Sequence, residues 1–251
     1  MAVSVAIITL NEETNIRRCL ESARWADEII IVDCGSTDGT LEICEEYGCR
    51  VFNHEWEGYA RQKNFAVSHA TCDWVLSLDA DEEVTPELAG EIRAALSGDS
   101  DAYSMPRSNL FLGKWMRHGG WYPDRQLRLF RRGMGSFKDV PLHEHIVMQE
   151  GSKIGLLRNP LKHYTYPTIR DFMAKADSYT TIQAQMSNRK PSVMGLLTAF
   201  PLKFAETYVY KGGWRDGLHG FVAAMLLSMR VFVRYARIWE ALRSGSEKQA
   251  E

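Results

Sequence analysis

The sequence predicts an α/β fold: a mostly parallel, Rossmann-like sheet followed by a helical C-terminal extension. Three observations predict it. Strand-length apolar runs alternate with helix-period segments through the first hundred or so residues. Several of those runs end in a polar or acidic cluster. From Thr168 onward the pattern is helical. The 251 residues suffice for one large α/β domain with an appendage. We place the α/β domain at residues 1–165 and the extension at 166–243, with 244–251 a tail.

The elements follow in order. Val3 to Leu10 is an unbroken apolar run of strand length, and Glu12 to Ala23 sets Ile16, Leu20 and Ala23 at helical spacing. Glu28 to Asp33 is a β-branched strand ending in a carboxylate. Gly35 to Gly39 is a turn, in which Ser36, Thr37 or Asp38 can cap a helix running to Tyr47. A short strand at Arg50 to Asn53 and a helix at Gly58 to Ala70 lead to Trp74 to Leu78, a buried strand. Thr85-Pro86 opens a helix with Leu88, Ile92 and Leu96 on one face. Ala102 to Pro106 and Gln126 to Phe130 read as strands around a Gly/Trp/Arg-rich loop. Helices are expected at Thr168 to Ser187, 192–211 and 216–242, punctuated by Pro191 and Gly212-Gly213. Strand–helix–strand alternation at this spacing implies parallel strands joined by right-handed crossovers. Ligands then bind outside the carboxyl ends of the strands.

Composition narrows the class. There are 30 Lys and Arg against 32 Asp and Glu, with 45% hydrophobic residues, which excludes collagen, extended disorder and a pure coiled coil. The near-neutral total hides an asymmetry. Residues 1–104 hold 7 basic and 21 acidic side chains, and residues 105–251 hold 23 and 11. An acidic half suits metal ligands and a basic half suits phosphates or anionic lipid, although two solvated faces also give this pattern. The five cysteines (Cys19, Cys34, Cys44, Cys49, Cys72) form no CxxC, which argues against a zinc site or disulfide framework and fits a reducing compartment. No GxGxxG and no P-loop occurs, and no nucleic-acid-binding module is recognisable, so no nucleic-acid partner is expected. Val3 to Leu10 lacks the basic flank of a signal peptide. The apolar stretch 217–229, bounded by Asp216 and Arg230, is too short to span a bilayer core as a helix, so a soluble or peripheral, cytoplasmic protein is expected.

Asp79-Ala80-Asp81 carries the sharpest chemistry. Two carboxylates at the end of a buried strand supply hard oxygen ligands for Mg²⁺ or Mn²⁺, which can bridge a diphosphate. Asp33 can accept from a ribose hydroxyl or a base N–H, or can simply form its turn. Arg125, Arg128, Arg131 and Arg132 suit an anionic acceptor because the guanidinium fork is planar and always charged, or are solvated. Phe221, Met225, Met229, Phe232 and Tyr235 alternate with Arg230, Arg234 and Arg237, a pattern that fits a membrane interface or packing on the α/β domain.

The order VSVAIITLNEE, EIIIVDCGSTDGT and GYARQKNFAVSHATCDWVLSLDADEE resembles family 2 glycosyltransferases, which have the GT-A fold. WYPDRQLRLFRR, VPLHEH and KGGWRDGLHGF extend the likeness to the lipopolysaccharide-core β-glucosyltransferase-like (WaaE/KdtX-like) subgroup. The resemblance implies that Thr9, Asn11 and Glu13 line a nucleotide pocket, that Asp33 contacts uridine and that Lys63 approaches the base or diphosphate. It makes Asp79 and Asp81 the metal motif, with Asp81 the direct ligand. Cys34 departs from the family pattern, where an acidic residue or serine is usual. An inverting transfer needs a carboxylate to take the acceptor proton. Glu144 is expected in that role, Asp124 is its competitor, and His143 and His145 orient Glu144, add a metal ligand or serve as structural hydrogen-bonders. Arg125 and Arg128 are placed with the substrate-binding residues. The implied activity moves a hexose, glucose in the subgroup, from a nucleotide-diphosphate sugar (a UDP-sugar) to a lipid-linked cell-envelope glycan at the inner face of the cytoplasmic membrane. Two rivals are a nucleotidyltransferase-like enzyme, disfavoured by the glycine-poor segment 8–18, and a catalytically degenerate membrane-associated binding protein, disfavoured by the intact DxD.

Overall fold

The computed structural model describes residues 1–140, 144–187 and 192–247, with side chains described to Arg243. The expected punctuation at Pro191 lies outside these residues. Two compact units are present: Met1–Ser108 with Asp124–Tyr164, and Asn109–Pro123 with Thr165–Glu251. Residues 109–123, read from sequence as part of the first domain, thus cluster with the helical region.

The first unit is built on four parallel strands, β1 (Val3–Thr9), β2 (Glu28–Asp33), β3 (Arg50–Asn53) and β4 (Trp74–Asp79), in the order β3-β2-β1-β4. β1, β2 and β4 are apolar runs because most of their side chains are covered on both faces, whereas the edge strand β3 is short and largely exposed. Ile7, Ile31, Trp74 and Leu76 are fully buried, each contributing about 1.5–3 kcal/mol of burial. Helices α1 (Glu13–Ala23), α2 (Thr40–Glu46) and α3 (Tyr59–Ser68) connect them. Gly39, not one of the expected candidates, is the cap residue of α2; Asp38 still accepts from the amide of Thr40, the first helical residue, at 3.1 Å, while Ser36 bonds Asp33. A two-residue turn joins β4 to β5 (Glu82–Val84), and α4 (Pro86–Ala95) starts where predicted, with the Thr85 hydroxyl accepting from the Leu88 amide at 3.1 Å.

Beyond β4 the sheet turns antiparallel. β6 (Ala102–Phe111) and β8 (Asp124–Arg131) pair with each other, and β8 pairs with β4. β11 (Ile154–Leu156) lies beside β6, and β12 (Leu161–Tyr166) pairs with β5. β9 (Gly135–Phe137) and β10 (Ile146–Met148) form a separate hairpin.

In the second unit β7 (Lys114–Trp115) pairs with the end of β6. Helix α5 (Ile169–Gln185) begins with a Thr168–Asp171 capping box. The helix expected over 192–211 is α6 (Val193–Phe204), which contains Pro201, followed by a π-helical turn at Ala205–Tyr210. A 3₁₀ turn, Gly213–Asp216, leads into α7 (Gly217–Glu247), which runs through the region expected to be a tail. The glycines of KGGWRDGLHGF make this turn feasible: a Cβ on Gly213 would stand 2.7 Å from the Thr207 carbonyl oxygen, and one on Gly220 would overlap the Gly213 carbonyl. Phe111, Met116, Trp121, Phe172 and Ala223 form this unit's core.

By length and composition the helical stretch Gly213–Arg243 is sufficient to cross a membrane. The thirteen-residue limit drawn from sequence counted only the run ending at Arg230, whereas the helix continues through Val231, Phe232 and Val233.

Candidate active site

The site lies at the carboxyl ends of the parallel strands, in the first unit. β1 is central there. Thr9, its last residue, stands opposite Asp33 on β2, and Ile8 stands opposite Asp79 on β4. The parallel register therefore delivers two carboxylates, one from each neighbouring strand, to the two sides of one strand end. The Thr9 hydroxyl is buried and makes no hydrogen bond among the described residues. A buried hydroxyl without a partner at a strand end is a ready contact for a bound group.

One side of this end is a loop cluster. Asp33 is buried, and its carboxylate accepts from the Gly35 and Ser36 amides at 2.7 and 2.8 Å and from the Ser36 hydroxyl at 2.5 Å. The Ser36 hydroxyl also accepts from the Asn11 amide at 2.9 Å, and the Asn11 side-chain carbonyl accepts from the Thr37 amide at 2.8 Å. Asn11 adopts φ 54°, the left-handed region that asparagine tolerates better than most side chains. Glu13 accepts from the Gly39 amide at 3.3 Å. Four residues expected to line a nucleotide pocket thus meet in one loop pair, and Asp33 is committed to shaping that pair. Cys34 receives a hydrogen bond from Gln62 Nε2 at 2.8 Å.

The other side is a chain of alternating charges. Lys63, on α3, is only 5% exposed, and its Nζ lies 2.8 Å from Asp79 Oδ1 and 2.9 Å from Glu144 Oε1. Arg128 Nη2, from β8, lies 2.6 Å from Asp79 Oδ2 and 2.6 Å from Glu82 Oε1. Glu82 is fully buried, and Arg107 reaches it at 3.4 Å and Asp124 at 2.7 Å. Burial alone would raise the Asp79 carboxyl, but Arg128 and then Lys63 hold it well below the usual carboxylate range. Burial and Arg128 work against the charge on Lys63, while Asp79 and Glu144 outweigh them and raise it. Burial likewise works against the charge on Arg128, and Asp79 and Glu82 outweigh it and raise the guanidinium.

Local structure explains the convergence. The antiparallel register sets Leu76 opposite Leu129, which brings Arg128 alongside the end of β4. Asn64 clamps the hairpin to α3: its side-chain amide exchanges two hydrogen bonds of 2.8 Å with the Phe137 backbone. The Lys138 amide donates to the His145 carbonyl at 3.0 Å, closing the mouth of that hairpin, and Glu144 stands there.

The sequence candidates divide accordingly. Both oxygens of Asp79 are held by cations, so it is a charge partner before it is a free ligand. In the same motif, Asp81 Oδ2 lies 3.3 Å from His163 Nε2. His163 was not anticipated from the sequence. Its strand pairs antiparallel with β5, with His163 opposite Glu82, and only that register reveals it. A carboxylate oxygen and an imidazole nitrogen are both groups that divalent transition-metal ions take as ligands. Among the described residues no group of three His, Cys, Asp or Glu is assembled, and His143 lies outside them. Asp124 Oδ2 accepts from Arg107 Nε and Nη2 at 2.9 and 2.7 Å, and its Oδ1 accepts from Gln126 at 2.8 Å. Arg125 is exposed and donates to the Leu157 carbonyl at 3.3 Å, whereas Arg128 is buried in the network.

Comparison with known proteins bears on this geometry. The chain is 32% identical over 252 residues to the lipopolysaccharide core biosynthesis glycosyltransferase LpsC of Rhizobium meliloti, covering 96% of this chain and 93% of that protein. It is 31% identical to an uncharacterized glycosyltransferase of Rickettsia felis, covering 96% and 90%. In fold it is similar to TarS of S. aureus (residues 1–349, in complex with UDP), with TM-score 0.51 and 17% identity over 98% of this chain and 92% of that one. It is also similar to glucosyl-3-phosphoglycerate synthase of Mycobacterium tuberculosis (in complex with Mn²⁺, UDP and glucosyl-3-phosphoglycerate), with TM-score 0.50 and 17% identity over 72% and 77%. These neighbours share the GT-A fold expected from the sequence. The family model described as "Glycosyl transferase family 2" matches residues 4–164, a span that holds every strand and charged residue of the site, and the chain therefore belongs to that family of glycosyltransferases.

Proposed function

We propose that this enzyme transfers a hexose from a UDP-sugar to a lipopolysaccharide-core or other cell-envelope glycan, by a metal-dependent single displacement with inversion. The observation that carries the reading is the arrangement around Lys63: one ammonium bridges the Asp79 of the DxD motif and the carboxylate of Glu144, with Asp81 and His163 paired at the same strand end. The acceptor class rests on the full-length likeness to a protein named for lipopolysaccharide core biosynthesis. The donor class rests on the UDP complexes of the fold neighbours.

The roles follow from chemistry. Thr9, Asn11, Glu13 and the Asp33 loop receive the nucleoside. Asp81 and His163 would hold the divalent cation, which would supply positive charge to the departing diphosphate. Asp79 keeps Lys63 charged and in place, and Lys63 adds positive charge beside the diphosphate. Glu144 takes the proton of the acceptor hydroxyl. Its Oε1 accepts from Lys63 at 2.9 Å, which fixes the carboxylate in place. Asp124 is less suited to that role because Arg107 and Gln126 occupy both of its oxygens. Arg128 sets the position of Asp79, and Arg125 remains available at the surface for an anionic acceptor. A lipid-linked acceptor places the enzyme at the cytoplasmic face of the membrane.

The test is hydrolysis and binding across UDP-, GDP- and dTDP-sugars with Mn²⁺ or Mg²⁺ and then with EDTA, followed by transfer to a lipid-linked core acceptor. Nucleotide release from one donor, abolished by EDTA and by Asp81→Ala, is the expected outcome. Pyrophosphate release would instead favour a nucleotidyltransferase.

A further inference from the structure

The helical unit presents its apolar side chains outward. α6 has no buried residue. Val193, Met194, Leu197 and Leu202 are 66–73% exposed, and on a helical projection they share one half of the helix with Pro201. A helix in water turns its polar face out. α6 does the reverse.

α7 repeats the pattern. Leu218, Phe221, Met225, Met229, Phe232 and Trp239 are its exposed large apolar residues. At 100° per residue all six fall within a narrow stripe, running about 30 Å along the helix at 1.5 Å per residue. The two helices lie antiparallel: Phe204 at the end of α6 meets Phe221 near the start of α7, and Gly195 near the start of α6 approaches Tyr235. The ring cluster Phe204, Tyr208 and Phe221 joins the two faces. At the connection between the helices Tyr210 is 87% exposed, and Trp214 is exposed with the Arg215 guanidinium 5.3 Å from its ring. Tyrosine, tryptophan and arginine stems at the edge of an apolar face are what a lipid headgroup region accommodates.

Charge selects the occupant. The residues of this unit, 109–123 and 165–251, carry 14 Lys and Arg against 7 Asp and Glu, whereas the rest of the chain carries 16 against 25. We infer that the α6–α7 face lies in the plane of a bilayer interface rich in anionic headgroups, with its apolar side chains in the acyl boundary. Although α7 is long enough to cross, its packing opposes that. It runs against α5, where Arg237 pairs with Asp177; Arg234 and Arg237 lie in its second half and Arg230 just before its midpoint. The inference rests on the lipid-linked acceptor of the proposed function for its purpose and on the surface alone for its evidence.

The test is flotation of the full chain, without substrates, on phosphatidylcholine vesicles with and without phosphatidylglycerol. Binding several-fold greater with phosphatidylglycerol and reduced by high salt is expected. Leu197→Glu with Leu202→Glu should lower it at least about tenfold with unchanged circular dichroism, while Leu156→Glu, an exposed change on the first unit, leaves it unchanged. Absence from both vesicle types, or equal flotation of the double variant, overturns the inference. A dimer that the double variant splits would assign the face to a second copy and overturn it too. Retention after alkaline carbonate extraction would mean a spanning α7 and overturn the in-plane orientation. Donor turnover is measured separately, so a failure here leaves the glycosyltransferase reading standing.

Discussion

Asp81 Oδ2 lies 3.3 Å from Nε2 of His163, a residue 82 positions later on an antiparallel strand. The pair sets an imidazole nitrogen from a different element beside the short Asp79–Asp81 turn. In the metal reading, Asp81→Ala and His163→Ala each weaken Mn²⁺ binding at least about tenfold in the presence of UDP. Titration of free Mn²⁺ by electron paramagnetic resonance reads this directly. Unchanged affinity in both variants would remove these two residues from the metal site.

The base assignment is decided by a pair of amides. Glu144→Gln keeps the shape and a contact to Lys63 but removes the proton acceptor, so kcat falls about 10²–10⁴-fold. UDP affinity stays nearly constant, because the side chain acts on the acceptor. Asp124→Asn weakens the paired hydrogen bonds from Arg107 and acts mainly on stability. A normal kcat in Glu144→Gln with a collapse in Asp124→Asn would exchange their roles.

Strands β1, β2 and β4 were legible because buried parallel strands are continuous apolar runs, and their terminal carboxylates were legible because parallel strands point their carboxyl ends the same way. Asp33, Asp79 and Asp81 follow from that logic, whereas Lys63 came only from the family resemblance. Glu82, Arg107 and His163 were not. Glu82 reads as one more acidic loop residue, and its burial depends on Arg128 arriving from β8. The strand Glu82–Val84 is too short and too acidic to announce itself, so nothing local signals that His163 will stand opposite it. The exposed apolar face of α6 was missed for a related reason: periodicity marks a helix as apolar but does not say which side is left uncovered.

Arg128, itself buried, neutralises the fully buried Glu82 and the part-exposed Asp79. Arg128→Met should therefore destabilise the fold by about 3 kcal/mol, because buried Glu82 is left with only the longer ionic contact to Arg107 at 3.4 Å. Adding Glu82→Gln removes that charge and should recover part of the loss. Urea midpoints of the parent, the single variant and the double variant form the comparison. A single variant as stable as the parent would mean that the network contributes nothing net.

The same network sets an acid limit. Asp79 has its folded-state carboxyl held well below the ordinary value of 3.8 by Arg128 and Lys63, against the opposing effect of burial. A group depressed on folding contributes stability that is fully present above its unfolded value and is lost as the pH falls through its folded value. Stability conferred by Asp79 should thus hold from neutrality down to the region of 3.8 and decline below it. Glu28 and Glu83, also depressed, add to the same decline in every variant that retains them. Asp79→Asn is expected to be less stable than the parent at neutral pH, since Lys63 and Arg128 each lose a charged partner, and its further loss in acid should be shallower. Chemical denaturation at a series of pH values, in parent and variant, gives the difference curve. Two curves that fall in parallel through the acid range would show that Asp79 titrates alike in the folded and unfolded chains.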